Sequence, residues 1–316
     1  MALEIDPQVR EKLAPFSAAA AEREPAPVGD VAARRLLARQ TFEQLVAMRP
    51  PVTGVDVAEY SLTTDDGTTL TLSWYHRSAA QPGSAALYLH GGGLIYGLDE
   101  ASGWYDSAIR GYVAASGVPT LVVAYRLAPE FRHPVPVEDC YAALLWLVRH
   151  ADELGVDPTR VAVMGDSAGA GLAAGVCLLN RDRGGTVVAQ QILIYPMLDD
   201  RCPPPDPELA PFLTWTHDDN VTAWAALLDG AANVDLYAAP ARATDLSGLP
   251  STYIEVGDLD LFRDEAITYA TRLVDAGVPT ELHLHPGCPH FFDGFAPDAE
   301  VTQRAFADRV RRLRLL

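Results

Sequence analysis

The stretch Val161-Ala162-Val163-Met164-Gly165-Asp166-Ser167-Ala168-Gly169 decides how this chain is read. The apolar run before Gly165 reads as a buried strand, and Gly169 to Leu179 (GAGLAAGVCLL) reads as a buried helix, so Ser167 falls on the turn between them. Glycines on both flanks let that turn be sharp. A sharp strand-to-helix turn strains the serine backbone and lifts its hydroxyl clear of the sheet, while the helix behind it offers unpaired N–H groups and a positive dipole end. An activated nucleophile belongs in such a place.

A lone G-x-S-x-G arises by chance in any chain rich in small residues, so a second signal is needed. It lies upstream, where the strand-like Ala85-Ala86-Leu87-Tyr88-Leu89 runs straight into His90-Gly91-Gly92-Gly93. Consecutive glycines at a strand end expose backbone N–H groups with no side chains to block approach, which an oxyanion developing on a carbonyl requires. With Tyr125-Arg126-Leu127-Ala128-Pro129-Glu130, these two motifs resemble the signature of the hormone-sensitive-lipase-like carboxylesterases, bacterial enzymes of the α/β-hydrolase fold. The resemblance runs from about residue 55 to the C-terminus. It implies an oxyanion hole made by the N–H groups of Gly92, Gly93 and Ala168, and a catalytic serine, aspartate and histidine in that order along the chain.

The acid and the base therefore lie downstream of Ser167. After the strand-like Thr252 to Val256 come Gly257-Asp258-Leu259-Asp260-Leu261-Phe262-Arg263-Asp264-Glu265, similar to the family's Asp-Pro-Leu-x-Asp-Glu with Asp260 in first place. Leu261 stands where the family usually has proline, which keeps Asp258 as a rival for the acid. The last strand, Thr280 to His285, is followed by Pro286-Gly287-Cys288-Pro289-His290-Phe291-Phe292, similar to the family's loop carrying the catalytic histidine, and His290 is the expected base. His283, His285, Cys288 and His290 can also be read as a metal cluster, since the first two share a strand face. Their spacing matches no closed zinc site, and no metal or cofactor is expected.

Composition narrows the class. Asp+Glu number 42 against 24 Lys+Arg, and the net charge of −18 argues against nucleic acid or an anionic membrane as partner. The longest uncharged apolar stretch, Ala168 to Leu179, is too short to span a bilayer, and MALEIDPQVREK at the start carries acidic residues and no apolar signal run. A cytoplasmic enzyme without membrane insertion is the expectation. Cys140, Cys177, Cys202 and Cys288 lack any framework spacing and read as reduced thiols.

Strand-like runs occur near 56–62, 69–76, 85–90, 119–125, 160–165, 188–195, 251–256 and 280–285. From the third onward most alternate with helical patterns, so the expected fold is an eight-stranded, mostly parallel sheet with helices on both faces. Thr63 to Thr68 makes a hairpin-like turn and an antiparallel start, and Val137 to Leu154 is a clear crossover helix ending at Gly155. Each candidate catalytic residue sits just past the C-terminal end of a strand, where open α/β sheets bind ligands.

Two segments break this rhythm. Residues 1–50 hold helical patterns, and residues 197–244 begin with a proline-rich run and carry Phe212, Trp215 and Trp224. Together they resemble the family's two-part helical cap, set around a core of 51–196 and 245–316, with Phe212 and Trp215 as candidate substrate-binding residues; ordinary surface helices are the other reading. The expected function is hydrolysis of short-chain acyl esters through a Ser-His-Asp triad and an acyl-enzyme, acting on a small-molecule ester, with a homodimer left open. Amide, lactam or lactone cleavage would use the same triad. The fold also hosts non-hydrolytic small-molecule receptors and dehydratases, and His290 in place argues against the receptor.

Overall fold

The computed structural model describes residues 3–78 and 83–316. Two helices, α1 (Pro7–Ala21) and α2 (Val31–Ala47), precede the strands β1 (Asp56–Thr63), β2 (Thr69–His76) and β3 (Gly83–Leu89). Then come α3 (Leu98–Ser116), β4 (Thr120–Val123), α4 (Val135–Arg149), α5 (Ala151–Leu154), β5 (Val156–Asp166), α6 (Ala168–Asp182) and β6 (Gln190–Ile194). After an insertion containing α7 (His217–Leu228), the chain closes with β7 (Ser251–Leu259), α8 (Arg263–Asp275), β8 (Thr280–Pro289), α9 (Phe292–Phe295) and α10 (Glu300–Arg314).

The strands form one sheet in the order β1-β2-β4-β3-β5-β6-β7-β8. β1 pairs antiparallel with β2 and β2 with β4, and all later pairings are parallel. This is the eight-stranded, mostly parallel sheet expected from the pattern of apolar runs. β4 and β6 are buried at every position, and β3 at every position past Gly83, so no alternation survives in their sequences. Strands covered on both faces read that way.

Local differences from the sequence reading have physical causes. The helix expected over 137–154 is broken at His150, whose Nδ1 meets the carbonyl of Trp146 at 2.8 Å and whose backbone caps α5. β8 runs on to Pro289, beyond the expected 285, because Leu259 still pairs with Pro289 across a register shift after Gly257. That extension delivers His290 to the sheet edge where β5 ends. The N-terminal helices and the insertion touch each other: Arg34 Nε on α2 donates to Asp219 on α7 at 2.8 Å, and Gly29 N–H donates to Thr222 Oγ1 at 2.9 Å. Among the described residues no helix is long and apolar enough to cross a membrane.

Candidate active site

The turn after β5 is as sharp as its glycines imply. Ser167 has φ 54° and ψ −121°, a conformation that side chains rarely adopt and that surrounding structure must hold in place. An added Cβ would lie 2.4 Å from the Gly169 carbonyl oxygen at position 165 and 2.1 Å from the Leu89 carbonyl oxygen at position 169. Only glycine lets α6 turn back so closely against the end of β3. The Ser167 N–H is tied to the Ile194 carbonyl at 2.8 Å, and its carbonyl accepts from Gly171 and Met197, each at 3.1 Å.

The glycine loop after β3 abuts this elbow. Asp166, 2% exposed, accepts from Tyr88 Oη at 2.9 Å, Tyr105 Oη at 3.0 Å and Gly91 N at 3.1 Å. Burial pushes its carboxyl up to about 6, against the pull of those donors. His90 is stacked on Tyr125 with ring centroids 4.1 Å apart, and its Nδ1 lies 2.8 Å from the Gly91 carbonyl. Burial lowers the imidazole to about 4, so His90 is a neutral ring that donates through Nδ1–H. The N–H groups of Gly92, Gly93 and Ala168 donate to no acceptor among the described residues. Gly92 and Gly93 adopt φ +110° and +58°, and an added Cβ on Gly93 would lie 2.3 Å from the Trp215 ring.

His290 stands between the elbow and β7. Its Nε2 is 2.9 Å from Ser167 Oγ and its Nδ1 2.7 Å from Asp260 Oδ2. Asp260 is fully buried and its second oxygen takes the Phe262 N–H at 2.9 Å. The rings of Tyr195 and Phe262 confine the imidazole in T-shaped contacts at centroid distances of 4.7 and 5.0 Å. Asp258 faces elsewhere and accepts the Gly287 N–H at 2.6 Å. So, of the two aspartates, Asp260 is the one that reaches the histidine, while Asp258 holds the strand that carries it.

The other histidines do not converge. His283 Nε2 meets Glu281 at 2.7 Å, His285 Nε2 lies 3.7 Å from Glu255, and His290 is engaged by Asp260. Glu281, His283 and Asp308 do bring ligand-type atoms within 4.8 Å of one another, but Arg311 already bonds both carboxylates.

Of the expected substrate-binding residues, Trp215 lies over Gly93, and Phe212 is half-buried in a short 3-10 turn over 210–212. Neither lines the small cavity beside Ala168, which is walled instead by Leu94, Leu172, Met197, Trp224 and Leu227. Leu172 follows Ala168 by one helical turn, and Trp224 and Leu227 are one turn apart on α7, a spacing visible in the sequence once the elbow is placed.

The arrangement has known counterparts. The sequence profile described as alpha/beta hydrolase fold matches residues 86–294. Carboxylesterase NlhH of Mycobacterium tuberculosis is 38% identical over 72% of this chain and 73% of its own length. Ethyl acetate hydrolase of Pseudomonas putida is 33% identical over 75% of each. The solved structure of a bacterial heroin esterase superposes with a TM-score of 0.86 at 36% identity, covering 98% of this chain and 97% of that one. A carboxylic ester hydrolase thus accounts for the fold and for the relatives alike, and the chain belongs to the hormone-sensitive-lipase-like carboxylesterase family of the α/β-hydrolase fold.

Proposed function

We propose that this carboxylesterase cleaves short-chain acyl esters through Ser167, His290 and Asp260, by way of an acyl-enzyme. The observation that carries the reading is the continuous line Ser167 Oγ, His290 Nε2, His290 Nδ1, Asp260 Oδ2, with contacts of 2.9 and 2.7 Å, starting from a strained elbow. As Oγ attacks the ester carbonyl, His290 takes its proton, and Asp260 holds the ring in the tautomer whose Nε2 is free to accept it. The N–H groups of Gly92, Gly93 and Ala168 receive the developing oxyanion, a contribution of about 3 to 4 kcal/mol per donor in comparable sites. Collapse of the tetrahedral intermediate breaks the bond to the alcohol oxygen, which takes the proton from His290. Water then attacks the acyl-enzyme with His290 as base, and Ser167 is regenerated.

A two-part cap of residues 1–50 and 197–244 roofs the site in this reading. The bonds Arg34–Asp219 and Gly29–Thr222 between the two parts support it. A short acyl preference is supported by the named substrate of the Pseudomonas relative. Four free cysteines, three of them buried, suit the cytoplasm.

Replacing Ser167 with Ala should abolish the burst of alcohol release, and an organophosphate should label Ser167 alone. Label on any other residue would overturn the assignment of the nucleophile. Faster kcat/KM for laurate than for butyrate esters would remove the short-chain preference.

A further inference from the structure

Three consecutive residues of the glycine loop hold left-handed φ angles: Gly92 at 110°, Gly93 at 58° and Leu94 at 64°. A leucine rarely adopts that region, so the surrounding structure must hold the turn in place. The orientation of the Gly92–Gly93 peptide decides where the Gly93 N–H points, because the N–H and C=O of a trans peptide face opposite ways. The Gly92 carbonyl accepts from the N–H groups of Ile95 at 3.0 Å and Tyr96 at 3.1 Å. The Gly93 N–H is thereby turned away from residues 95–96, and it meets no acceptor among the described residues.

The turn that fixes this peptide is itself gripped from α2. Arg35 Nε donates to the Ile95 carbonyl at 2.6 Å, and Nη2 donates to the Ala128 carbonyl at 3.0 Å. The Ala128 N–H in turn donates to the Leu94 carbonyl at 2.9 Å. So Ile95 is held directly and Leu94 by way of Ala128. Glu130 takes Nη1 at 2.7 Å and Nη2 at 2.6 Å, but its side chain is 53% exposed, and an ion pair so exposed stabilises little. Ile95 and Ala128 are fully buried, and a charged donor bonds a carbonyl roughly twice as strongly as a neutral one. Glu130 aims the guanidinium, and the two carbonyls receive its effect.

We propose that Arg35 is a positioning residue for the oxyanion hole: from α2 it fixes the 94–96 turn and, through that turn, the Gly92–Gly93 peptide whose N–H receives the developing negative charge. The inference rests on the reading of Gly93 as an oxyanion donor given above. Arg35 touches no reacting atom. Its loss removes the support of the left-handed Leu94 and frees the Gly92–Gly93 peptide to rotate its N–H out of line, which matters most when the carbonyl oxygen carries charge.

The test compares wild type, Arg35→Ala and Arg35→Lys on p-nitrophenyl acetate. Beside the kinetics, the affinity of a short trifluoromethyl ketone, whose adduct with Ser167 carries an oxyanion, is measured against that of the matching methyl ketone, which stays trigonal. Losing a whole oxyanion donor costs about 10²- to 10³-fold in kcat. Arg35→Ala misplaces one donor and should lower kcat and kcat/KM together by about tenfold or more, with KM within about threefold, the mark of an interaction made in the transition state alone. The trifluoromethyl ketone should weaken by the same factor and the methyl ketone should not. Arg35→Lys keeps the pair with Glu130, and with it the docking of α2, but lacks the planar fork that spans both carbonyls; it should show the same split at about threefold or more, and it decides the matter if Arg35→Ala does not fold. A helix that only covers the site would raise KM and leave kcat alone, and that result overturns the inference. So does an unchanged trifluoromethyl ketone affinity in the folded variants. Wild type separates the two levels. If it binds the trifluoromethyl ketone no tighter than the methyl ketone, the oxyanion reading falls and takes this inference with it; if it binds about 10²-fold tighter or more and that margin survives the loss of Arg35, only the role of Arg35 falls.

Discussion

Asp166 Oδ1 accepts the Gly91 N–H at 3.1 Å, so the residue before the elbow serine holds the first amide of the glycine loop. Tyr88 and Tyr105 donate to the same carboxylate, and among the described residues no cation bonds it. Elbow and loop are therefore set relative to each other by one buried acid rather than by backbone pairing alone.

That acid makes stability depend on pH in a definite direction. Its folded pKa of about 6 lies above the ordinary 3.8, with burial as the main cause, so the fold prefers the neutral carboxyl. Stability from this group is fully present below pH 3.8 and is lost as pH rises through about 6. The whole change is on the order of 3 kcal/mol, at about 1.4 kcal/mol per pH unit. Urea denaturation of the wild type and of Asp166→Asn between pH 4 and 7 checks it. The difference in unfolding free energy between the two should drift against the wild type over that window and level off above it; a constant difference would mean that Asp166 titrates normally.

The two aspartates after β7 should separate cleanly. Asp260→Asn leaves His290 free to take the wrong tautomer, which costs about 10⁴-fold in kcat in a serine triad. Asp258→Asn weakens the bond to the Gly287 N–H, worth about 1.5 to 3 kcal/mol when the acceptor is charged, and should leave most of the activity. Both are to be assayed at a temperature where circular dichroism shows each folded. An inactive Asp258→Asn beside an active Asp260→Asn would reverse the assignment.

Two glycines should respond in opposite senses to alanine. At position 169 the new methyl would meet the Leu89 and His90 carbonyl oxygens at 2.1 and 2.4 Å, and backbone cannot step aside. Gly169→Ala should destabilise by about 3 kcal/mol or more and cost activity with it. At position 111, inside α3, the nearest atoms belong to Phe306 at 3.9 Å, ordinary contact distance. Gly111→Ala should stabilise by about 0.5 to 1 kcal/mol, read from the denaturation midpoint. Equal shifts in the two variants would contradict the packing argument.

These contrasts show which parts of the molecule a sequence exposes. The elbow, the glycine loop and the eight strands announce themselves because each is a local pattern: an apolar run, a glycine cluster, a turn residue. The bond from Asp166 to Tyr88 spans 78 residues and that to Tyr105 spans 61, and no local periodicity encodes either. Asp166 stood in full view inside the motif, yet nothing nearby in the chain says what it binds. The cavity wall was missed for a related reason. Phe212, Trp215 and Trp224 all stand out as aromatics in the insertion, but only the laying of α7 across the elbow decides that Trp224, with Leu227, walls the cavity while Phe212 and Trp215 do not. His133, without any partner pattern in the sequence, reaches that same wall from the segment before α4.

The last expectation concerns the ion network beneath His290. Arg309 on α10 is 2% exposed, and its Nε donates to Glu255 Oε1 at 2.9 Å while Nη1 donates to Asp293 Oδ2 at 2.5 Å and to Tyr112 Oη at 2.9 Å. Asp293 takes the Tyr195 hydroxyl on its other oxygen at 3.0 Å, and the Tyr195 ring makes a T-shaped contact with His290. Burial alone would push Glu255 up, but the Arg309 guanidinium and His285 together outweigh it and hold the carboxyl at about 2. Glu255 therefore contributes stability above its ordinary 4.5 that is lost as pH falls toward 2. Arg309→Met would take from two buried carboxylates the one guanidinium that bonds both, and breaking a buried pair costs about 3 to 5 kcal/mol. Tyr195→Phe removes one hydrogen bond to a charged acceptor, about 1.5 to 3 kcal/mol, and keeps the ring against the imidazole. Urea midpoints should therefore fall much further for Arg309→Met than for Tyr195→Phe, and kcat of Tyr195→Phe should stay within a few-fold of wild type. Were Arg309→Met as stable as wild type at pH 7, the guanidinium would not be what holds the floor under His290.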